Sequence, residues 1–439
     1  MGVVMIRSLS TTPLASTIQA MLPASPNEHF LSKNLRFNFI VGIFDGGFFG
    51  FALGFASFIA VLPLFVNQLT DSALLIGLVP AIHNVGWQLP QLLTAGWVSR
   101  ARRYKPLVVW MTAHERIPFV GLALIAWFLP ALGSRTALTL TFLMLTWQGL
   151  GGGFTANAWQ NMIAKVIPGR LHGTFYGSQA AAFNGLAGIS AIAAGIILER
   201  LASPLDFVVC FLAASIAMAV SYVFIAQTRE PESPERLPKP DNAFWGEALA
   251  ILKRDRNFCA FLAVRAVSQF ASMAFAFYTV YLVNEMGVGE AAIGAMTGFL
   301  LIVQVLVNPL VGRLGDRWGH RNAMLLGALA AISSTLLAAA ADSPGWFYLV
   351  FLLEGAALVA IWVAPMSLTV RFASGEEDRP VYIGLSNSLT APAAILAPLL
   401  GGWLADTSGF QTTFMVSALF ATLMLVMLFV SVREPGTVS

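Results

Sequence analysis

Apolar and polar residues along this chain are segregated into blocks, not alternated position by position. Long runs of Leu, Ala, Val, Ile, Phe and Gly are separated by short turns rich in charge and Pro. Twelve runs can be read, near residues 37–66, 74–98, 106–129, 137–165, 174–199, 205–227, 257–283, 291–312, 322–341, 346–370, 381–404 and 411–431. Each matches the roughly 20 residues with which an α-helix crosses an apolar layer about 30 Å thick. The ten-residue alternation of a membrane β-barrel strand is absent from the sequence. The pattern therefore predicts an all-α membrane protein with twelve transmembrane helices. Composition points the same way: of 439 residues 57% are hydrophobic and 11% charged, and the mean hydropathy is +0.75. Those values lie outside the soluble globular class.

The positions of the basic residues predict the sense of insertion. With both termini placed in the cytoplasm, every Lys and Arg falls in a cytoplasmic segment except four. Arg135 and Arg200 lie outside, and Arg116 and Arg265 lie within runs. The outer turns carry Asp71, Glu199, Asp206, Glu285, Glu290, Asp342 and Asp406. This asymmetry predicts an even number of spans in a cell (inner or plasma) membrane and gives no reason to invoke nucleic acid. Residues 1–36 read as a cytoplasmic tail without a cleaved signal peptide. Residues 37–227 and 257–432 read as two six-helix bundles, and residues 433–439 as a short cytoplasmic tail. The stretch 228–256 is rich in charge and Pro and reads as a solvated cytoplasmic linker, in which residues 244–252 could form a short interfacial helix. Cys210 and Cys259 are the only cysteines, so neither a disulfide framework nor a Cys-based metal site follows.

The two halves repeat each other. Leu64-Phe65-Val66-Asn67 followed by Ile76-Gly77 parallels Tyr281-Leu282-Val283-Asn284 followed by Ile293-Gly294. The first half ends in Thr228-Arg229-Glu230-Pro231 and the second in Val432-Arg433-Glu434-Pro435. Gln148-Gly149 and Glu354-Gly355 hold matching places in the fourth run of each half. Two parallel six-helix units joined by a linker are the plan of a rocking transporter whose site lies between the units.

The most informative stretch is Gly312-Arg313-Leu314-Gly315-Asp316-Arg317-Trp318-Gly319-His320-Arg321-Asn322, a charged hairpin between two apolar runs. Its glycines allow helix ends to approach, and Asp316 can accept from backbone N–H groups at a helix start. The stretch resembles the signature loop of the major facilitator superfamily, G-x-L-x-D-R-x-G-R-R, with His320 in the first basic slot. The resemblance implies a cytoplasmic latch between the halves, built on Gly312, Asp316, Arg317, Gly319 and Arg321. In the first half Gly96-Trp97-Val98-Ser99-Arg100-Ala101-Arg102-Arg103 holds the same place, but Arg100 stands where the family has Asp, which implies a latch of different build. The run Leu145 to Gly153 is similar to the fourth-helix motif of the family. Its hallmark Arg is replaced by Leu145, a change that weighs against proton-driven export. The fifth run, around Gly185, Gly188 and Gly195, reads as close-packed.

An ionised side chain within a membrane costs at least about 2.5 to 3.5 kcal/mol, so each one requires a reason. Asp45 has two readings: a cavity or proton group, or a partner for Arg116. His114-Glu115-Arg116 reads as a structural cluster with Asp45 or His83. Arg265 and Glu354 sit on helices that the resemblance places around the central cavity. Their heights differ by about 6 Å, which long side chains could bridge. Both are read as substrate or coupling residues. Gln148 and Gln269 are the uncharged candidates, and Trp147, Trp159, Phe277, Tyr278 and Trp362 could form an aromatic wall. No metal or cofactor site is expected, because no ligand spacing is present.

The expected function is alternating-access movement of a small molecule by a functional monomer in the lipid bilayer, with protons as candidate coupling ion. Efflux of an amphipathic or drug-like solute leads. Uptake by symport or facilitated diffusion is the alternative, and a receptor that binds without flux is the reading from another class. A membrane-embedded enzyme would need a reactive cluster, and His172 and His320 stand singly in their turns.

Overall fold

The structure is a computed structural model that describes residues 26–58, 60–70, 72–233 and 243–435. Expectations that concern residues 1–25, Asp71, residues 234–242 and residues 436–439 lie outside the described residues. Among the described residues the regular structure is entirely helical. Among the described residues ten helical stretches are long and apolar enough to cross a membrane: Phe30–Phe55, Lys105–Trp127, Gly169–Arg200, Leu205–Ile225, Arg256–Asn284, Gly298–Trp318, His320–Ala340, Pro344–Phe372, Arg379–Ser408 and Phe410–Ser431. They correspond to the first, third and fifth to twelfth expected segments. The second and fourth segments fold as helices too, yet neither is among the ten. The second is divided at Leu89-Pro90 into Ala73–Gln88 and Gln91–Arg100, and the fourth, Ser134–Val166, carries Gln148, Asn157, Gln160 and Asn161.

Several boundaries move. The first segment is already helical at Pro26, the first described residue, so residues 26–36 of the expected tail are helical. The supposed hairpin at 312–322 is nearly all helix: Glu290–Trp318 and His320–Ala340 are separated by Gly319 alone. Gly319 has φ +99°, a conformation that favours glycine, and it makes the whole turn. The linker yields the short helix Ala243–Arg254, whose Ala248 and Ile251 are buried. Thr228, Glu230 and Ser233 are buried as well, against the expectation of a solvated stretch.

Their burial has a structural cause that repeats in both halves. Glu230 accepts from the N–H groups of Tyr104 (2.8 Å) and Lys105 (2.7 Å), which open the third segment. Glu434 accepts from those of His320 (3.0 Å) and Arg321 (2.7 Å), which open the ninth. A carboxylate at a helix N-terminus satisfies free donors and complements the helix dipole. The residue before each Glu is held in a matching way. Arg229 exchanges backbone hydrogen bonds with the Asn38 side chain, and Arg433 with the Asn257 side chain, all at 2.8 to 2.9 Å. Each six-helix unit is thus tied shut by its own C-terminal Arg-Glu pair.

Inside the first unit, the first and fifth segments cross closely because the first supplies glycine. A Cβ at Gly50 would strike the Phe183 backbone, and one at Gly54 the Ala187 backbone. Beside this crossing the buried charges meet. Arg116 Nη2 lies 3.1 Å from Asp45 Oδ1 and donates to Ser221 Oγ (2.8 Å), which itself donates to Asp45 (2.7 Å). Nη1 contacts Thr112 and lies 3.5 Å from Glu115 Oε2. Of the two roles open to Asp45, the geometry shows the ion pair, which ties the first, third and sixth segments together. His83 stands apart from this cluster: its ring stacks on Phe58 with centroids 4.0 Å apart.

Breaking a buried pair by removing one partner costs about 3 to 5 kcal/mol, because the other charge is left uncompensated. Asp45→Ala should therefore lower the thermal unfolding temperature of the purified protein markedly. Asp45→Leu combined with Arg116→Met should recover most of that loss.

Candidate functional site

The candidate site is the seam between the two six-helix units, and it is built from two helix crossings near the face that carries the basic turns. At the first crossing the eighth segment meets the fifth. A Cβ at Gly177 would lie 3.3 Å from Gly312 Cα, and Gly173 and Gly312 have no room for one either. This closeness lets a short Asp side chain reach the neighbouring helix. Asp316 Oδ1 accepts from Gly173 N–H (2.9 Å), and Oδ2 accepts from Thr174 N–H (2.6 Å) and Thr174 Oγ–H (2.7 Å). The carboxylate thus closes the N-terminus of the fifth segment from the opposite unit, where its charge is favoured. Buried His320 flanks it at 3.5 Å. Arg321 turns away to the twelfth segment, and Arg317 is exposed.

At the second crossing the eleventh segment meets the second, and both helices are interrupted there. The eleventh divides into Arg379–Ser388 and Ala391–Ser408. Ser388 Oγ donates toward the carbonyls of Gln88 and Leu89 (both 3.1 Å) and accepts from Leu92 N–H (3.0 Å). Asn387 Nδ2 donates to Gln91 Oε1 (2.6 Å). Asn157 Nδ2 donates to both Gln91 O (3.0 Å) and Pro380 O (2.9 Å). The breaks expose backbone carbonyls, and side chains of the facing unit satisfy them. With Arg100 in place of Asp, the remaining bridge on this side is ionic. Lys165 Nζ lies 2.9 Å from Glu230 and 3.6 Å from Glu376, and Ser233 Oγ donates to Glu376 (2.7 Å).

Between these crossings lies an apolar plug. Val359 and Val363 of the tenth segment are buried among Ala158, Met162 and Phe175 of the other unit. Farther from the basic face the seam loosens. A Cβ at Gly185 would be 3.8 Å from Val305, and at Gly188 or Gly195 it would meet nothing within 4 Å. The fifth segment is therefore not close-packed along those glycines as expected. Against the eighth segment it is tight at Gly173 and Gly177.

The remaining candidates do not form one constellation. Arg265 donates through Nη1 to Ser386 O (3.0 Å), Ser386 Oγ (2.5 Å) and Asn387 Oδ1 (3.0 Å), all uncharged acceptors at the break of the eleventh segment. It does not bridge to Glu354 as its height suggested, because the broken helix brings acceptors closer. Glu354 is 1% exposed and lies within its own unit beside Tyr278 and Ser334, with Oε2 unpartnered. Gln148, also 1% exposed, pairs its Oε1 with His83 Nδ1 at 2.9 Å. Gln269 is half-buried, with Nε2 3.4 Å from Ser268 Oγ.

The expected aromatic wall is also dispersed. Tyr278 is buried among Phe347, Phe351 and Phe414, Trp159 packs on Tyr176, and Phe277 packs at Gly401. Trp147 faces His114 of the third segment. Trp362 is 50% exposed and pairs across the seam with Trp87, their centroids 6.3 Å apart. The sequence reading overlooked Trp87, Thr174, Ser386 and Ser388. The last three could have been sought from the rule that a helix end or break needs a polar partner. No group of three or more His, Cys, Asp or Glu side chains that could hold a metal occurs among the described residues.

Comparison with known proteins agrees with this architecture. The model of the Major Facilitator Superfamily matches residues 106–289 and, a second time, residues 262–439. The human Solute carrier family 67 member A1 is 36% identical over 148 residues, 33% of this chain and 34% of that protein. The Multidrug resistance protein MdtG of Salmonella arizonae is 22% identical over 274 residues, 62% of this chain and 66% of that protein. The chain thus spans about a third of the first relative's length and just under two thirds of the second's. The fold is similar to that of the Escherichia coli fucose:proton symporter FucP, with TM-score 0.71 and 14% identity over 90% of this chain and 98% of that one. Since the family model covers most of both repeated halves, this chain belongs to the Major Facilitator Superfamily, and it is an integral membrane protein.

Proposed function

We propose that this transporter exports an amphipathic, drug-like small molecule across the cell membrane by alternating access, driven by protons and acting as a monomer. In this reading the basic face and both termini are cytoplasmic. The observation that carries it is the one-sided seam: polar and apolar contacts seal it at the basic face, while the fifth segment is loose at Gly188 and Gly195. A carrier in this state offers its interior to the outer side. Parting the Asp316 and Ser388 crossings while the opposite ends approach would turn the interior to the cytoplasm.

Export of a drug-like solute is supported by the relative named for multidrug resistance and by the Trp87 and Trp362 pair at the seam. Arg265, held only by uncharged acceptors, is the residue that would meet a polar or anionic part of the solute. Glu354 would carry the proton. Its unpartnered oxygen leaves it costly as an anion within the membrane, so protonation and exposure of this group are linked. The Leu145 substitution at the fourth-helix motif favours inward symport or facilitated movement as the second reading.

Two measurements check this function. A hydrogen bond to a charged group is worth about 1.5 to 3 kcal/mol, and each 1.36 kcal/mol is tenfold in an equilibrium. In a background with Cys210 and Cys259 replaced by Ser, Val363→Cys should therefore label from the basic face about tenfold faster once Asp316→Asn is added. Equal labelling would show that Asp316 does not hold that face closed. In proteoliposomes loaded with a solute found by thermal-shift screening, a pH gradient should drive uphill movement. Glu354→Gln should abolish the uphill component and spare downhill exchange, whereas Arg265→Gln should weaken solute affinity. Uphill transport unaltered in both variants would remove these two residues from the mechanism.

A further inference from the structure

At the rim of the basic face the two repeated halves differ in one respect that neither transport nor latching accounts for. In the second half Arg321 opens the ninth segment, and its N–H donates to Glu434. Its guanidinium then crosses to the end of the twelfth segment, donating through Nε to Leu428 O (3.0 Å) and through Nη2 to Phe429 O (2.9 Å). That side chain fills the groove between the ninth and twelfth segments. In the first half the matching residue is Lys105, whose N–H donates to Glu230 in the same manner. Here the groove is open. A cavity of about 670 Å³ lies between the start of the third segment and the end of the sixth, lined among others by Arg103, Lys105, Val109, Trp110, Tyr222 and Arg229.

The charge around this cavity is out of balance. Glu230 also lines it, but its carboxylate is engaged by two backbone N–H groups and by Lys165. Arg229 is steered by uncharged partners: Nη1 donates to Asn34 Oδ1 (3.0 Å), and the guanidinium lies 4.0 Å from the Phe37 ring centroid. Arg103 meets Glu232 at 3.4 Å, but both side chains are more than half exposed, and such surface pairs hold weakly. Among the described lining residues, three cations therefore border a hollow whose one carboxylate, Glu230, is already engaged. Its other wall is apolar, and Trp110, 66% exposed, stands one turn into the third segment, at the depth where membrane proteins place Trp at the lipid surface. The residues that line the cavity take no part in the two crossings of the seam, so it is separate from the candidate site.

We propose that this cavity binds the phosphate headgroup of an anionic phospholipid in the leaflet on the basic face. Arg103, Lys105 and Arg229 supply charge and N–H donors to the phosphate oxygens, while Trp110 and Val109 border the glycerol and the start of the acyl chains. The apolar wall and the exposed Trp110 favour a lipid over free phosphate, which would need neither. The inference rests on membrane embedding alone and not on the direction or coupling of transport.

The test uses the full-length protein in detergent with equimolar phosphatidylglycerol and phosphatidylcholine, with retained lipid read by native mass spectrometry. Phosphatidylglycerol should be retained about tenfold over phosphatidylcholine. Arg103→Gln with Lys105→Gln should bring that ratio close to one. Val109→Trp, which keeps every charge but fills the hollow, should lower it as well and remains informative if the charge variant does not fold. Inorganic phosphate at the same concentration should leave the retained phosphatidylglycerol unchanged. Equal retention of the two lipids by the unmodified protein overturns the proposal, as does a ratio unaltered in the folded variants. Displacement by inorganic phosphate overturns the lipid as the ligand.

Discussion

At the basic face the seam is bridged by a carboxylate that caps a helix belonging to the other half of the molecule. Asp316 lies in the last turn of the eighth segment, where its own helix dipole disfavours a negative charge, and it finds compensation at the start of the fifth. A side chain this short reaches only because Gly173, Gly177 and Gly312 let the two backbones almost touch. Apolar packing of Val359 and Val363 and the polar contacts of the second crossing join the same two halves beside that approach.

The repeat shows the same device used within each half. Glu230 and Glu434 cap the third and ninth segments of their own units, and Asn38 and Asn257 hold the residue before each Glu. Against that shared frame the differences carry meaning. Arg100 in place of an acidic residue removes a capping carboxylate from the first half, and Lys165, Glu376 and Ser233 form an ionic bridge instead. Arg321 fills a groove that Lys105 leaves open. The two halves thus carry matching helix ends that differ in the residues around them.

The buried charges divide between scaffold and seam. Asp45 and Arg116 satisfy each other with Ser221 and Thr112, and they hold three segments of one unit in a fixed relation. Arg265 is bound across a helix break by neutral oxygens, and Glu354 keeps one oxygen without a partner. A charge with a full set of partners stiffens its surroundings, whereas one that is incompletely compensated is sensitive to what enters beside it.

By itself the sequence determined the helical membrane class and the two-fold repeat, and it singled out Asp316 as an acceptor for a helix start. Those properties are written in the length of apolar runs, in matching termini and in a local motif, all of which are read from neighbouring positions. It also offered the correct pairing for Asp45 without being able to choose it. Only the tertiary structure decided that Arg265 turns to Ser386 and Asn387 and not to Glu354, and that the fifth segment is tight at Gly177 and loose at Gly195. It likewise placed Trp87 with Trp362. These outcomes depend on where a helix breaks and how far two helices diverge, and both are set by contacts between residues hundreds of positions apart, on which the hydropathy of either strand of sequence carries no information.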